Sequence, residues 1–475
     1  MFKVQKQHLS SYVVWILFIV AIAIMKFWYH ELWKDEWQAW FVAKDKSVPE
    51  IFSFLYYEGH PSLWYLYLKM FTLFDTWVSG STLINVAHLL TVVAGLYFLI
   101  VKFRLPLLYK ILFSLSYFIF FEYGIVNRGY FLVILLLFWS VWLISKDSYK
   151  DKHLAILLFL LCQTEIYGVL MAISLGIYIF SCQRDVSTTS TKKAIFGIAS
   201  GLLLFLLSVY PRTSGHIAKT ANKDLSMSDQ FLSAFQGNLS NTYLLGSTPD
   251  TFTYGWTTLG LILSLACLFG LWFVFKNNKH VLLSGGAFFL AMLAFSSLLY
   301  LGGIRQWGMG LVFMIALLEL IHFNPMKERF SALIVGVFCI FNIVHNVRAV
   351  NEEIKIPFSN AKQTGLFIAE KVPAKVPVVA MNKFEATPVI GYAGRQFYEL
   401  PTGTEFSYFR WVDKIYLPTE SELKLFAKYK QVGGIILLSP KPIDGERFPS
   451  AQLWQKFDEV NFKKENYFIY TLPIQ

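Results

Sequence analysis

The chain has 475 residues, of which 55% are hydrophobic and 15% are charged, and its mean hydropathy is +0.49. A soluble globular protein carries about a quarter charged residues, so this composition excludes an ordinary soluble domain. The formal net charge is +11. It does not indicate nucleic-acid binding, because the basic residues are spread over short loops between apolar runs and are not gathered on one polar face.

The first predicted element is a membrane-spanning helix near residues 11–29, preceded by Lys3 and Lys6. The apolar stretch is too long for the core of a signal peptide and lacks a small-residue cleavage site. A helix needs about 20 apolar residues to cross a bilayer. Ten further runs approach that length, near 81–101, 109–126, 130–145, 153–165, 166–181, 194–210, 254–275, 281–300, 307–323 and 330–347.

The basic residues of the short loops predict the orientation of these spans. On one side the loops hold Lys102, Arg104, Lys110, Lys146, Lys150, Lys152, Arg184, Lys192, Lys193, Lys276, Lys279, Lys327 and Arg329. The short loops on the other side hold only Arg128 and Arg305. The positive-inside rule therefore predicts a cytoplasmic N-terminus. About 11 spans then place the C-terminus outside.

Two long segments fall on the predicted outer side. The first, 30–80, contains DEWQAWFVAKD, PEIFSFLYYEG and HPSLWYLYLKMFTLF, which have aromatic faces and predict short helices along the membrane interface. The second, 211–253, is polar and rich in Gly and Pro. We predict that it forms an ordered lid.

The pattern changes near residue 350. SNAKQTGLFIAEKV predicts a helix opened by a Ser cap, and ESELKLFAKYK predicts another helix. VPVVAMN, GGIILLSP and NYFIYTLP predict strands. This alternation predicts a small α/β domain with a partly parallel sheet, without a nucleotide-binding motif. The expected fold class is thus an all-α polytopic membrane domain, 1–349, followed by a small soluble extracytoplasmic α/β domain, 350–475.

An acid pair follows the first span at once. Asp35 and Glu36 lie in WKDEWQAW, and Glu58 and His60 follow in YYEGHPSLWY. At a membrane surface such acids are often solvated loop charges, and His60 has the alternative of a hydrogen-bonded interfacial histidine. The gathering of acids at one membrane face, among aromatic residues, favours chemistry. An Asp there would take a proton from an attacking hydroxyl or amine.

The two arginines of the outer loops are the second candidate group. Arg128 and Arg305 stand where outer loops meet helices. Their alternatives are snorkelling at the interface or an ion pair. An arginine offers a permanently charged fork that fits phosphate oxygens. Together with the acids, they suit a reaction with an anionic leaving group.

The order of these motifs resembles the GT-C superfamily of membrane glycosyltransferases. A spanning helix is followed by DEWQAW, YEGHPSLWY, NRGYFLVILLLF and IRQWGMGLVFMIALLEL. The resemblance covers about residues 11–347. It is strongest to the protein O-mannosyltransferase and aminoarabinose-transferase branch, in bacterial members of unassigned substrate. It implies a multi-pass protein of the bacterial inner (plasma) membrane.

The resemblance also implies roles for individual residues. Members use a polyprenyl-phosphate sugar as donor and act on the extracytoplasmic face. By position, Asp35 would be the catalytic base and Glu36 would organise the site. His60, Arg128 and Arg305 would contact the donor phosphate, although His60 stands where the aminoarabinose branch has a Lys. Further candidates are Glu58, and Tyr130 in an Arg-x-Tyr element.

These expectations define a glycosyltransferase of hexosyl or pentosyl groups, with membrane lipids and an extracytoplasmic acceptor as its partners. The alternatives are a transporter or flippase of lipid-linked sugars, or a non-catalytic scaffold. A transporter usually shows internal repeats and polar residues at mid-membrane, whereas here no repeat is found and the ionisable residues gather at one face. No metal ligand is assigned, but an acid pair near a phosphate permits a divalent cation, Mg²⁺ or Mn²⁺.

Overall fold

A computed structural model describes residues 2–146, 151–182, 189–209, 225–245 and 256–473. The chain divides into two compact units. The helical unit consists of Met1–Met25, Phe52–Trp64 and Ala87–Asn351. The sheet unit consists of Lys26–Ile51, Tyr65–Val86 and Glu352–Gln475. The last division point is near the predicted domain boundary, but the sheet unit also includes two segments from the N-terminal part of the chain.

Up to residue 355, all the regular secondary structure of the described chain is helical. Their bounds are α1 Phe2–Ile24, α2 Lys34–Asp45, α3 Val48–Glu58, α4 Leu63–Thr72, α5 Gly80–Leu96, α6 Leu107–Ser114, α7 Tyr130–Ile144, α8 Asp151–Cys162, α9 Ile166–Cys182, α10 Thr189–Val209, α11 Met227–Gln236, α12 Thr258–Phe275, α13 Lys279–Leu298, α14 Ile304–Trp307, α15 Met309–Leu320 and α16 Arg329–Lys355. Four π-helical segments adjoin them, at Met25–Tyr29, Tyr97–Lys102, Phe118–Glu122 and Gly237–Leu245.

Each predicted span coincides with helix. Six helical segments of the described chain are long and apolar enough to cross a membrane, and α7, α8 and α9 are shorter apolar helices. The run 109–126 is broken into α6 and a π-helical turn, and the run 153–165 ends as helix at Cys162. The polytopic helical fold is therefore confirmed, while the number of eleven crossings stays a prediction.

The outward faces of the long helices are apolar. On α12, Leu259, Ile262, Leu265, Phe269 and Trp272 are exposed and recur every three or four residues. A stripe of this kind would be unfavourable in water. The opposite face is buried and carries small residues, which allow close helix packing, at Gly260, Ser264, Cys267 and Gly270. The helix is thus built to face lipid on one side and protein on the other.

The predicted lid is helical where the structure describes it. Residues 211–224 and 246–253 lie outside the described part of the chain. Between them, Ser226 caps α11 by accepting a hydrogen bond from the Asp229 amide. The Ser264 hydroxyl of α12 donates to the Ser240 hydroxyl at 3.0 Å. These buried contacts make 225–245 a packed part of the helical unit.

The sheet unit contains the predicted α/β fold. After α16 come α17 Ala361–Lys371, β1 Val378–Ala380, α18 Lys383–Ala393, β2 Phe397–Glu399, β3 Thr404–Phe406, α19 Glu420–Tyr429, β4 Gly434–Ser439, β5 Gln452–Phe457 and β6 Tyr467–Pro473. The strand order is β3-β2-β1-β4-β6-β5. Strand β1 is parallel to β2 and β4, and the other pairs are antiparallel. The predicted partly parallel sheet is confirmed.

Local sequence explains why strand β4 and helix α19 form and pack together in this core. Strand β4 pairs on both edges and its apolar residues are buried, as the uninterrupted run GIILL predicts. Helix α19 begins at a capping box in which Thr419 accepts from the Glu422 amide and Glu422 accepts from the Thr419 amide. Its apolar face packs Leu423 and Phe426 into the core with Leu437 of β4.

Candidate functional site

His60 lies in the tight turn between α3 and α4, in the helical unit. Gly59 has a φ of 71°, a left-handed conformation that ends α3 and that glycine adopts without strain. The His60 Nδ1 atom lies 2.8 Å from Glu165 Oε2. The imidazole is half-buried and its partner carboxylate is nearly sealed, with exposed fractions of 31% and 8%. The turn therefore presents an ion pair that is open on the histidine side.

The charges around His60 favour its protonated form. Burial alone would lower its pKa, but the adjacent Glu165 carboxylate outweighs burial and raises it. Arg128 opposes protonation and Glu58 supports it, so both lie within electrostatic range of the imidazole. Glu58 itself is buried. The structure thus brings together three of the predicted site residues, His60, Glu58 and Arg128.

Arg128 immediately precedes α7 and lies against Tyr130. Its guanidinium carbon is 5.7 Å from the centroid of the Tyr130 ring. A Cβ atom on the intervening Gly129 would lie 3.2 Å from Trp64 Cβ and 3.6 Å from Glu165 Oε1. Only a small residue permits this close approach of the Arg128 segment to the turn that follows His60. The predicted Arg-x-Tyr element is therefore part of the same cluster.

Arg305, in the short helix α14, makes the ion pair that the sequence left open as an alternative. Its Nε atom lies 2.9 Å from Glu122 Oε1, and the arginine side chain is 14% exposed. The Tyr117 hydroxyl donates to Glu122 Oε2 at 2.8 Å. The next residue, Gln306, donates from Nε2 to the Tyr130 hydroxyl at 3.1 Å. These contacts link Arg305 to the Arg128 group through side chains of the helical unit.

The acid pair belongs to the sheet unit, in the first turn of α2. Asp35 is partly exposed and Glu36 is buried. The Glu36 carboxylate accepts from the Trp33 amide at 2.9 Å, which caps the helix. Lys34 pairs with Glu385 of α18 at 2.9 Å. The neighbouring carboxylates therefore occupy different environments, one at the surface and one inside.

Glu36 also takes part in a buried network that the sequence did not reveal. His30 Nε2 lies 3.1 Å from Glu36 Oε1, and His30 Nδ1 lies 2.8 Å from Glu353 Oε1. All three side chains are fully buried. Burial alone would lower the pKa of His30, but the two carboxylates raise it to about 9. The imidazolium is thus the central cation between two acids.

Sequence reasoning missed the carboxylate partners Glu122, Glu165 and Glu353. The predicted span 153–165 ends at Glu165, but α8 stops at Cys162. The junction between α8 and α9 is formed by the buried residues Gln163, Thr164 and Glu165. The available signal was three consecutive polar residues between two short apolar helices. Buried ionisable groups at such a place mark a functional or paired site.

A preformed metal centre is not seen in the described residues, where no group of three or more His, Cys, Asp or Glu side chains is placed to hold an ion. Glu36 and Glu165 are paired with histidines and Glu122 with Arg305, and Glu36 also accepts a hydrogen bond from the Trp33 amide.

The chain is similar in structure to ArnT from Cupriavidus metallidurans, which was crystallised bound to undecaprenyl phosphate. The match has a TM-score of 0.54, covers 98% of this chain and 97% of that chain, and has 10% sequence identity. In all, 11 chains of solved structures match. No family model and no curated protein matches the chain. The likeness confirms the expected fold, a polytopic helical domain followed by a C-terminal sheet domain.

Proposed function

We propose that the protein is a membrane glycosyltransferase that moves a sugar from a polyprenyl-phosphate donor to an extracytoplasmic lipid, glycan or protein acceptor. The observation that carries the proposal is the cluster of His60, Arg128 and Arg305 within the helical unit. Its setting supports the proposal, since the fold resembles over nearly its whole length that of a protein crystallised with undecaprenyl phosphate.

The cluster suits a phosphate that gains charge during the reaction. When the bond between the sugar carbon and the phosphate oxygen breaks, polyprenyl phosphate leaves with the electron pair. The guanidinium groups of the arginines and the imidazolium of His60 stabilise this negative charge through charge-assisted hydrogen bonds. Glu122 and Glu165 hold Arg305 and His60 in place at 2.9 and 2.8 Å, so little reorganisation is needed when the charge develops.

Asp35 is the proposed catalytic base. It takes the proton from the acceptor hydroxyl or amine while the acceptor atom forms its bond to the sugar carbon. Glu36 is a positioning residue, because its carboxylate caps α2 and binds His30 instead of facing solvent. Glu58 supports the protonation of His60 and Tyr130 packs on Arg128.

The function is tested by transfer in proteoliposomes with a panel of radiolabelled polyprenyl-phosphate sugars, each supplied with a crude extracytoplasmic acceptor fraction. Covalent label in the acceptor is the expected result. Label that crosses the bilayer while it stays on the polyprenyl lipid would instead establish a flippase. A parallel reaction with EDTA, with Mg²⁺ or Mn²⁺ restored, decides whether a divalent cation takes part.

Orientation needs a separate test, because the proposed chemistry requires the 30–80 segment and the C-terminus to lie outside the cytoplasm. A reporter that is active only outside the cytoplasm should be active when it is fused after Gln475. A cytoplasmic signal there would mean that the predicted number of spans is wrong by an odd number, and it would contradict the proposed site.

A further inference from the structure

The sheet unit contains a polar recess that the proposed donor chemistry does not use. Its volume is about 380 Å³, within the range of about 300–1,000 Å³ typical of small-ligand pockets. It is lined by Asp45 of α2, Lys383 of α18, Gln396, Glu399 of β2, Glu405 of β3 and the loop from Ser407 to Asp413. All of these belong to the sheet unit.

The recess lies where this type of sheet places ligand sites. Strands β1 and β2 run parallel. Lys383 lies three residues after the carboxyl end of β1, and Glu399 is the last residue of β2. Ligands of open α/β sheets bind outside the carboxyl ends of parallel strands.

Lys383 is held as a fixed cation and is already neutralised. Its Nζ atom lies 2.9 Å from Glu399 Oε2 and 2.8 Å from Asp413 Oδ2, and its side chain is 15% exposed. Burial alone would lower the pKa of Lys383, but the two carboxylates raise it. The lysine organises two acids at the floor of the recess and does not offer an unpaired charge to an anion.

The remaining charges make the recess unfavourable for anions. Four carboxylates line it, those of Asp45, Glu399, Glu405 and Asp413, against the cations Lys383 and Arg410. A third cation, Lys46, lies near the recess, with its Nζ atom 4.7 Å from the centroid of the Tyr408 ring. With Lys46 included, the four carboxylates still outnumber the three cations. A phosphate or carboxylate group would meet like charge at most of the wall.

Hydroxyl groups meet complementary partners there. Carboxylates accept hydrogen bonds from hydroxyls, while the amide of Gln396 both donates and accepts. Tyr408 and Phe409 add aromatic rings beside these polar atoms. A few convergent polar groups with aromatic surface suit a ligand that is polar at its edges and apolar on its faces, as a sugar ring is.

Helix α2 connects this recess to the proposed base. Asp35 lies in its first turn and Asp45 is its last residue. Ten residues of helix rise about 15 Å, a separation that a short oligosaccharide spans. Helices α2 and α18 are packed together, with Trp37 and Tyr392 in an edge-to-face contact of 5.4 Å. The recess and Asp35 are therefore parts of one framework in the sheet unit.

We propose that this recess binds the neutral, hydroxyl-rich saccharide portion of the acceptor and discriminates against phosphorylated sugars. The inference rests on the proposed function in that the bound saccharide is taken to be part of the acceptor. It narrows the acceptor class from any lipid, glycan or protein to a molecule that presents a neutral glycan.

The test measures direct binding to the purified full-length protein, by saturation-transfer NMR and by Trp fluorescence titration, in nanodiscs that contain excess undecaprenyl phosphate to occupy the proposed donor site. The probes are cellobiose and chitobiose, compared with glucose 1-phosphate. We expect both neutral disaccharides to bind and the phosphorylated sugar to bind at least about tenfold more weakly, since its charge is repelled by the excess of carboxylates. Equal or stronger binding of glucose 1-phosphate would overturn the proposal, as would no disaccharide binding.

Two variants locate the binding. Glu405→Lys, at an exposed position of β3, should weaken disaccharide binding about tenfold, the value of a hydrogen bond to a charged group, and should raise the affinity for glucose 1-phosphate. Gln396→Ala should weaken disaccharide binding and leave the charge selectivity unchanged. The control is Glu370→Lys, on the exposed part of α17. Binding that neither recess variant alters would also overturn the proposal.

The transfer assay separates this proposal from the first one. Disaccharide binding that depends on Glu405 in a protein without any transfer activity would contradict only the proposed enzyme. Sugar transfer by wild type and by Glu405→Lys at equal rates to the same neutral acceptor would contradict only the acceptor site.

Discussion

Two histidines, one in each unit, show how similar ion pairs serve different purposes. His30 lies between Glu36 and Glu353, and its side chain is completely sealed. His60 pairs with Glu165 alone, has Arg128 nearby, and keeps 31% of its side chain exposed. A sealed pair contributes to folding, because removal of one partner strands a buried charge. An open pair keeps its charge available to an incoming anion.

The acid pair divides in the same way within two consecutive residues. Glu36 points into the sealed network and Asp35 remains partly exposed. Successive residues of a helix are about 100° apart around its axis, so Glu36 can cap and pack while the preceding Asp35 remains partly exposed. Chemistry is therefore expected from Asp35, and structural support from Glu36.

The largest expected effect is that of Asp35→Asn on the transfer rate. The substitution keeps size and removes the proton acceptor, so transfer should fall by about 10²–10⁴-fold, with thermal stability and donor binding retained. The rate is measured in the proteoliposome assay. Asp75→Asn is the matched control, because Asp75 forms a partly exposed ion pair with Lys44. A wild-type rate in the Asp35 variant would place the base at Glu36 or Glu58.

The second prediction compares the two histidines by stability. His30→Ala leaves two carboxylates buried without their cation, and should destabilise the fold by about 3–5 kcal/mol. His60→Ala should cost at most about 2 kcal/mol, since 31% of the His60 side chain is exposed. The shift in the midpoint of thermal unfolding in detergent ranks the two variants by stability. A His60 variant less stable than the His30 variant would reverse the assignment of sealed and open pairs.

The third prediction concerns the arginines. Lysine keeps the charge at residues 128 and 305 but cannot form a bidentate fork, so Arg128→Lys and Arg305→Lys should each weaken donor binding by about tenfold. Arg305→Lys should also lower stability slightly, because Nε of Arg305 holds Glu122. Affinity for a polyprenyl phosphate is measured directly, with Lys276→Arg as control. Unchanged affinity in both variants would reduce the two arginines to membrane anchors.

The smallest expected effect is a pH dependence that differs between the two histidines. The pKa of His30 is raised from 6.5 to about 9. Its stabilising contribution is therefore complete below pH 6.5 and is lost as the pH rises through 9. The pKa of His60 is also raised above its ordinary value. Its positive charge, and with it the contribution of His60 to donor binding, should therefore be lost as the pH rises through this raised pKa.

Matched glutamine variants separate these contributions. His30→Gln should remove the loss of stability between pH 6.5 and 9, measured by thermal unfolding. His60→Gln should flatten the pH profile of donor affinity and should change the stability profile less than His30→Gln does. A stability profile of wild type that is flat across this interval would contradict a protonated His30 between two carboxylates.

Much of the fold follows from local pattern. Long apolar runs predicted the helices because a bilayer demands them, and the segments ESELKLFAKYK and GGIILLSP predicted α19 and β4 of the sheet unit. Strands β2, β3 and β5 and helix α18 were missed for local reasons. Strand β5 is exposed along nearly all of its length and therefore has no apolar run. Strands β2 and β3 have three residues each and α18 contains Pro388. Such short or broken segments carry too little periodicity to be recognised.

The sequence by itself determined the polytopic helical fold, the C-terminal α/β fold and the group of candidate residues, because hydropathy, charge asymmetry and motif order are properties of neighbouring residues. Only the tertiary structure decided the partners. Glu165 meets His60 from 105 positions away, and Glu353 meets His30 from 323 positions away. Ion pairs act through space at distances of a few ångströms. Whether a carboxylate becomes a sealed support or an exposed base therefore depends on which distant segment the fold brings beside it.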